Sequence, residues 1–396
     1  MKKDILSYSM KAIKALTTRT MVFENDCIPI RVQNLSYKKI INAIRVGMSV
    51  YAKPKKPWGY PITLQIEPSS LCNLQCTLCP VTYGMDRPTG LMDFELFKNI
   101  IDTIGDYLFM IVMFNWGEPF VNPAIYDMIA YARRRNIKIV SSTNAHAFAE
   151  QENAEKLIKS GIDVIAVAID GIKQETYERF RGAGVLETAL KGIRNLVAAK
   201  HAMNSKTPLI NFRFIPMKHN EHEIPELKKL AKSLGVDALS IKTLNPYGCY
   251  SDEISEDPAY YNKCLTTDER YHRFSYEGLS VNRCRKRINP PCIKLWDCMT
   301  ILWNGDVCLC AFDYRNKYGI GNIRANSIKN VWSGIPIRSL RQQFCKDYQK
   351  MQLCKNCTYS FVGGSLDGEI IEEVFYNQSV ANLFSAPENP EKVKPL

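Results

Sequence analysis

From Pro61 onward two hydrophobic patterns alternate along the chain. Short apolar runs at Ile62–Glu67, Leu108–Phe114, Ile137–Ser142, Val164–Ile169, Leu209–Ile215 and Ala238–Thr243 have the length and density of strands buried on both faces. Between them, around Phe94–Ile104, Ala124–Arg135, Ala154–Ser160, Leu186–Lys200 and Ile224–Leu234, apolar residues recur every three or four positions, as in helices with one buried face. The alternation predicts an α/β fold, with six strands forming a partial (β/α)6 TIM-like barrel rather than a closed eight-strand one. In such folds the functional loops gather at the C-terminal ends of the strands.

Outside this core the pattern changes. Residues 1–57 read as a basic helical extension. Leu35–Lys53 places Tyr37, Ile40, Ile41, Ile44, Met48 and Tyr51 at helical spacing with Lys38, Lys39 and Arg45 between them, and Gly47 weakens the middle. Two uses fit such a helix: packing on the main domain with a solvated basic face, or peripheral contact with an anionic membrane or an acidic partner. KPKKPWGYP follows as a proline-punctuated linker into a core domain at 58–245. An irregular bridging segment (246–291) then leads to a cysteine-rich module (292–365) and a C-terminal tail (366–396). The end of that tail, Ser385–Leu396, carries three prolines and few large apolar residues and reads as loose.

Charge narrows the function classes. The formal charge is +12, but residues 1–57 hold twelve Lys and Arg against three Asp and Glu, a balance of +9 that leaves +3 on the rest. The globular part is therefore not a strongly basic nucleic-acid binder, and no nucleic-acid partner is expected. No apolar run approaches the roughly 18–20 residues of a membrane span, and the N-terminus has no signal-peptide apolar core. A cytoplasmic location is expected.

Fourteen cysteines in a cytoplasmic protein of 396 residues suggest metal rather than a disulfide scaffold. Three fall within Cys72–Cys79 and seven between Cys292 and Cys357, while Cys27, Cys249, Cys264 and Cys284 are scattered and read as packed or free thiols. The first run, EPSSLCNLQCTLCP, spaces its thiols C-x3-C-x2-C in a loop directly after a strand. Three thiolates can hold three corners of a cubane and leave the fourth iron open, whereas an electron-transfer cluster uses four. A zinc site wants a fourth ligand, and no His or Cys follows nearby.

This loop resembles the radical S-adenosylmethionine (SAM) superfamily, and the resemblance covers roughly residues 60–245. It implies that Cys72, Cys76 and Cys79 hold a [4Fe–4S] cluster whose open iron binds SAM, the source of a 5′-deoxyadenosyl radical. The segment Asn115-Trp116-Gly117-Glu118-Pro119 is similar to the family's G-G-E-P, which implies SAM contacts at Gly117 and Glu118. Ser141-Ser142-Thr143-Asn144 is similar to T-N-G, implicating Asn144, and AIDG is similar to S-x-D-G, implicating Asp170. Arg213 on the fifth strand is expected to meet the SAM carboxylate or an anionic substrate; Arg181 could do so or serve as a surface or capping residue. The chain departs from the family at Leu78 (usually aromatic), Trp116 (glycine), Ala145 (glycine) and Ala168 (serine).

The C-terminal cysteines resemble the SPASM/Twitch extension of that superfamily, over roughly residues 284–365. Cys292…Gly305…Cys310 fits its opening segment and Cys354-Lys355-Asn356-Cys357 its closing C-x2-C, which implies that Cys292, Cys310, Cys354 and Cys357 ligate an auxiliary [4Fe–4S] cluster. Cys308 rivals Cys310, and a zinc ribbon is the alternative use of such pairs. Cys298 and Cys345 have no slot in the pattern. Because no cysteine follows Cys357, a single auxiliary cluster is expected. The resemblance implies a radical SAM oxidoreductase that passes a substrate electron to that cluster, with a polar small-molecule or sugar-like substrate. The alternative is a SPASM-type maturase acting on a peptide or protein. Either needs an external one-electron reductant such as flavodoxin or ferredoxin. No substrate-side acid or base is assigned; Tyr247, Lys242, His219 and His222 lie near strand ends.

Overall fold

The structure is a computed structural model that describes residues 14–25, 28–244, 263–272, 274–277, 280–283, 292–355, 357, 371–377, 380 and 393–396. Its six predicted strands are present as β3 (Thr63–Ile66), β4 (Met110–Val112), β5 (Lys138–Thr143), β6 (Val164–Ala168), β7 (Leu209–Phe214) and β8 (Ala238–Lys242), all parallel and hydrogen-bonded in chain order. Before them, β1 (Met21–Asn25) and β2 (Ile28–Val32) form an antiparallel hairpin, and α1 (Tyr37–Ala52) follows. The crossovers carry α2 (Pro80–Tyr83), α3 (Phe94–Ile104), α4 (Ile125–Arg133), α5 (Gln151–Ser160), α6 (Gln174–Arg181), α7 (Leu186–Ala202) and α8 (Ile224–Leu234).

Local chemistry sets these boundaries. The Asp93 carboxylate accepts from Leu96 N at 2.7 Å to start α3, while Gly161 and Gly235 end α5 and α8 in left-handed conformations that suit glycine. Alternate strand residues face opposite layers. Leu64, Ile66, Ile111, Ile139, Ile165, Phe212 and Ile241 pack outward on helix faces, including Leu96, Phe97, Ile100 and Ile101 of α3. Met110, Val112, Val140, Val164 and Ala238 face inward and form an apolar floor with Ile28 and Ile30 of the hairpin. The extension is therefore not wholly helical. Its hairpin closes the end of the barrel away from the strand-end loops.

The barrel does not close on itself. β11 (Cys298–Ile301) pairs parallel with β3 and carries β12 (Asp306–Cys308) and β13 (Gly319–Asn322) in antiparallel order. At the other edge, β14 (Ile371–Tyr376) pairs antiparallel with β8, and β15 (Val393–Pro395) pairs parallel with β14. The expected tail (366–396) thus contributes two strands to one eleven-stranded sheet, and β15 falls within Ser385–Leu396, the stretch expected to be loose. Each edge strand of the barrel gains a partner for backbone groups that would otherwise be exposed. Much of the bridging segment 246–291 lies outside the described residues; inside it, β9 (Phe274–Glu277) and β10 (Ser280–Arg283) form a separate hairpin.

The cysteine-rich module is joined to the barrel by more than one strand pair. Arg87 donates to both oxygens of Glu67 at 3.0 and 2.7 Å and, through Nε, to the carbonyl of Tyr314 at 2.6 Å. Both side chains of this pair are almost fully withdrawn from solvent, 6% and 0% exposed. The linker is also held: Trp296 Nε1 donates to Pro54 O and Trp332 Nε1 to Gly59 O, each at 2.9 Å. Arg341, fully buried in α9 (Ile335–Asp347), donates to Leu295 O and Trp332 O. Among the described residues no helix is long and apolar enough to cross a membrane.

Replacing Arg87 by Met would leave the Glu67 carboxylate buried beside no cation. Loss of about 3 kcal/mol of unfolding free energy is expected, by analogy with broken buried pairs. Hydrogen exchange should quicken first at β11 and residues 310–314, and uniform exchange across the chain would count against this pair as the junction.

Candidate active site

The C-terminal ends of β3 to β7 bring most of the expected residues together. The Cys72–Cys79 loop leaves β3, and its three thiols lie close enough for each of Cys72 and Cys79 to feel the charge of Cys76. Burial, then the neighbouring thiols, pushes Cys79 up to about 12, and burial pushes Cys72 up to about 11. Packing unpaired thiols in a dry loop opposes their ionisation; a cationic cluster is what reverses that cost. Among the described residues no three His, Cys, Asp or Glu side chains are placed to hold one metal ion together. Thiolates of a four-iron cluster have no such need, since each binds its own iron.

The neighbouring loops lock onto this one. Gly117 has φ +94°, and a Cβ there would meet Ser69 O at 2.4 Å and Leu71 O at 2.7 Å. Its glycine is therefore required by the cysteine loop itself. Glu118 N donates to Leu71 O at 2.8 Å. The Glu118 carboxylate accepts from Thr143 Oγ1 at 2.8 Å and from Asn144 N at 2.9 Å. Asn144 Nδ2 in turn donates to Asn73 Oδ1 at 2.7 Å, one residue past Cys72. Full burial raises the Glu118 carboxyl to about 7 despite these donors. Ala145 holds φ +66°, the left-handed conformation that explains the family's glycine at this place.

Asp170 accepts from Ile215 N at 2.9 Å and pairs with Arg181, while Arg181 Nη1 donates to Cys76 Sγ at 3.7 Å. The surface alternative for Arg181 is excluded by its burial on these partners. Its signal in the sequence was Gly182 beside it, where a Cβ would meet Gln75 O at 2.3 Å. Arg213 sits deeper, on the inner wall, where Nη1 donates to Ser142 Oγ at 3.5 Å. It pairs in register with Ala168, the position where the family carries a serine. Lys242, Asn211 and Ser240 continue this polar wall, and Ser240 Oγ donates to Asn211 Oδ1 at 3.0 Å. Tyr247 lies outside the described residues.

Trp116 accounts for the first departure from G-G-E-P. Its Nε1 donates to Ala311 O at 2.9 Å and its ring meets Tyr314 edge-on, 5.5 Å between centroids. With Met85 it forms a small buried cluster between the cysteine loop and the module. Ala311 follows Cys310, so Trp116 ties the SAM-side segment to the second cysteine group.

In that group the Cys310 thiol faces Cys354 and Cys357, and Cys292 faces Cys357. Burial and these neighbours push Cys292 up to about 12 and Cys310 well above its ordinary value. Cys308 is also near Cys310, but its thiol donates to Cys310 O at 3.4 Å and its own charged neighbours are Asp313, Glu67 and Arg87 rather than Cys354 and Cys357. Cys298 lies beside Lys294 and Asp297, and Cys345 is exposed. Cys264 is half-buried; Cys27, Cys249 and Cys284 lie outside the described residues.

The radical SAM superfamily profile matches residues 66–240, and that of the SPASM iron–sulfur cluster-binding domain matches residues 292–358. The chain belongs to the radical SAM superfamily. It carries a C-terminal SPASM domain, and the two domains imply a SAM-binding [4Fe–4S] cluster, SAM and auxiliary iron–sulfur binding. It is 25% identical over 315 residues to the tungsten-containing aldehyde ferredoxin oxidoreductase cofactor-modifying protein of Pyrococcus furiosus, covering 74% of this chain and 86% of that protein. It is 32% identical over 197 residues to the AdoMet-dependent heme synthase of Methanosarcina barkeri, covering 49% of this chain and 54% of the relative. In fold it is similar to SuiB of Streptococcus suis bound to S-adenosylmethionine, with TM-score 0.54 and 17% identity, over 89% of this chain and 82% of that one.

Two outcomes follow from this geometry. A contact from the SAM amino group to Glu118 needs the ionised carboxylate, which is lost as pH falls through about 7. SAM affinity of the cluster-loaded protein, read by equilibrium dialysis, should be level at high pH and fall about tenfold per unit below that point; a flat profile removes Glu118 from the contact. Ligation by Cys310 predicts that Cys310→Ala loses about four iron per chain, whereas Cys308→Ala keeps them.

Proposed function

We propose that this chain is a radical SAM oxidoreductase in which Cys72, Cys76 and Cys79 hold the SAM-binding cluster and Cys292, Cys310, Cys354 and Cys357 a single auxiliary one. Its substrate is a polar small molecule bearing an anionic or hydrogen-bond-accepting group. SAM bound at the first cluster supplies, on reduction by an external flavodoxin- or ferredoxin-type donor, a 5′-deoxyadenosyl radical. With both groups bound, the substrate would undergo a two-electron oxidation, giving up one hydrogen atom and one further electron with a proton released to solvent.

The observation that carries this reading is the junction of the two cysteine groups. The SPASM domain continues the barrel sheet through β11 on β3, the strand that runs into the cysteine loop. Trp116 spans the remaining gap to Ala311. A four-thiol site held so firmly against a radical site suits electron exchange better than a detached structural cluster would. Gly117, Glu118, Asn144, Asp170 and Arg181 would orient SAM by their shared hydrogen bonds to the loop. Arg213, Lys242 and Asn211 would receive the substrate; among the described residues the buried Asn211 amide nitrogen has no hydrogen-bond partner, a donor suited to a polar ligand. The N-terminal segment supports a small substrate over a peptide, because its hairpin is occupied in the barrel floor.

The test is anaerobic. The reconstituted protein should carry about eight iron per chain and release 5′-deoxyadenosine from SAM with a reductant. Cys310→Ala should retain SAM cleavage and lose the oxidised product. Retained product without the auxiliary cluster would overturn the oxidative role, and turnover of a peptide would replace the substrate class.

A further inference from the structure

The N-terminal region shows an apolar surface that the barrel does not use. Thirteen large apolar side chains are exposed among the described residues, and seven of them fall between Leu16 and Trp58. On α1, Tyr37, Ile41, Met48 and Tyr51 are exposed, with Ile44 half-buried among them. At about 100° per residue these five positions span an arc of roughly 80°. The helix packs through its opposite side, where Lys39, Asn42, Val46 and Ser49 are buried, and through Ile40 at one border of the stripe. A helix serving only its own fold is polar on its outward face. This one carries a second apolar stripe.

Charge and aromatic placement identify what the stripe fits. Arg45 stands exposed at its border, and Lys55 and Lys56 are exposed beyond its C-terminal end. Trp58, 52% exposed, and Tyr51, 66% exposed, stand beside those lysines. Aromatic side chains next to cations are the anchors of a membrane–water interface, and each Lys or Arg near an anionic leaflet contributes attraction. Residues 1–57 carry twelve cationic and three anionic side chains. Two copies facing each other through this surface would set those charges against one another, which disfavours self-association.

We propose that this face docks on an anionic phospholipid surface. The docked orientation follows from the packing of α1. Asn42 Nδ2 donates to Tyr60 O ahead of β3, and Lys39 Nζ donates to Arg135 O and Asn136 O ahead of β5, so α1 lies at the N-terminal ends of the strands. The cysteine loop is at their C-terminal ends, so the radical site faces water when the protein is docked. Lipid is then the support and not the substrate, and the inference does not depend on which molecule is oxidised.

Vesicle flotation of the full-length, cluster-loaded protein tests this directly. Binding to phosphatidylglycerol-rich vesicles, little to phosphatidylcholine alone, and release by salt are expected. Lys55→Glu with Lys56→Glu should weaken binding by at least about tenfold, and Tyr51→Ser with Met48→Ser should do likewise, with 5′-deoxyadenosine formation unchanged. Quenching of tryptophan fluorescence by acyl-brominated lipid should be lost in Trp58→Phe. No binding to anionic vesicles, or binding that these variants leave intact, overturns the proposal. Concentration-dependent dimers abolished by Tyr51→Ser, without vesicle binding, would assign the surface to a second copy instead.

Discussion

The parallel pairing of β11 with β3 is the constraint from which the rest of the arrangement follows. β3 delivers the three-cysteine loop, and β11 opens the strand pair that delivers Cys310, so both metal-binding segments share one hydrogen-bonded ladder. The buried Arg87–Glu67 pair sits at the end of that ladder, and its burial makes it demanding. Glu67 is stable there as an anion only with the guanidinium in place, and the same guanidinium reaches Tyr314. A shift of the SPASM domain would therefore strip the Arg87 guanidinium of its Tyr314 carbonyl and open the buried pair to solvent, as well as separate apolar surfaces.

The site makes a related use of unfavourable burial. Thiols whose ionisation is opposed, a carboxyl raised to about 7 and a buried guanidinium are gathered at the strand ends. Each is costly in the empty protein and useful to a bound cofactor of complementary charge. The loops that carry them are tied to one another by backbone carbonyls and short hydrogen bonds, so little motion is left for binding to arrest.

Much of this was legible in the sequence because it rests on pattern and spacing. Five of the six barrel strands fall inside the apolar runs expected for them and β5 runs one residue past its own, to Thr143, while Glu118, Asn144 and Asp170 meet around the cysteine loop in the order of their motifs. What was not legible depends on distant partners. β1 and β2 are short, Pro29 interrupts the second, and Ile28 and Ile30 owe their burial to Met110, Val140 and Val164 far along the chain. β14 is a strand because β8 has a free edge, which no local pattern reveals. Trp116 looked like a mere departure until Tyr314 and Ala311 supplied its partners.

The hairpin in the barrel floor has one more consequence. Ile28 and Ile30, with Met110, Val140 and Val164, make the barrel a well and not a pipe. The depth of a well is set from below, by residues that never touch what enters. Bulkier or smaller side chains at Ile28 and Ile30 would thus raise or lower the floor beneath the polar wall of Asn211 and Arg213. The depth of the barrel interior is then partly written in the chain's first thirty residues, a segment that lies outside both cysteine groups.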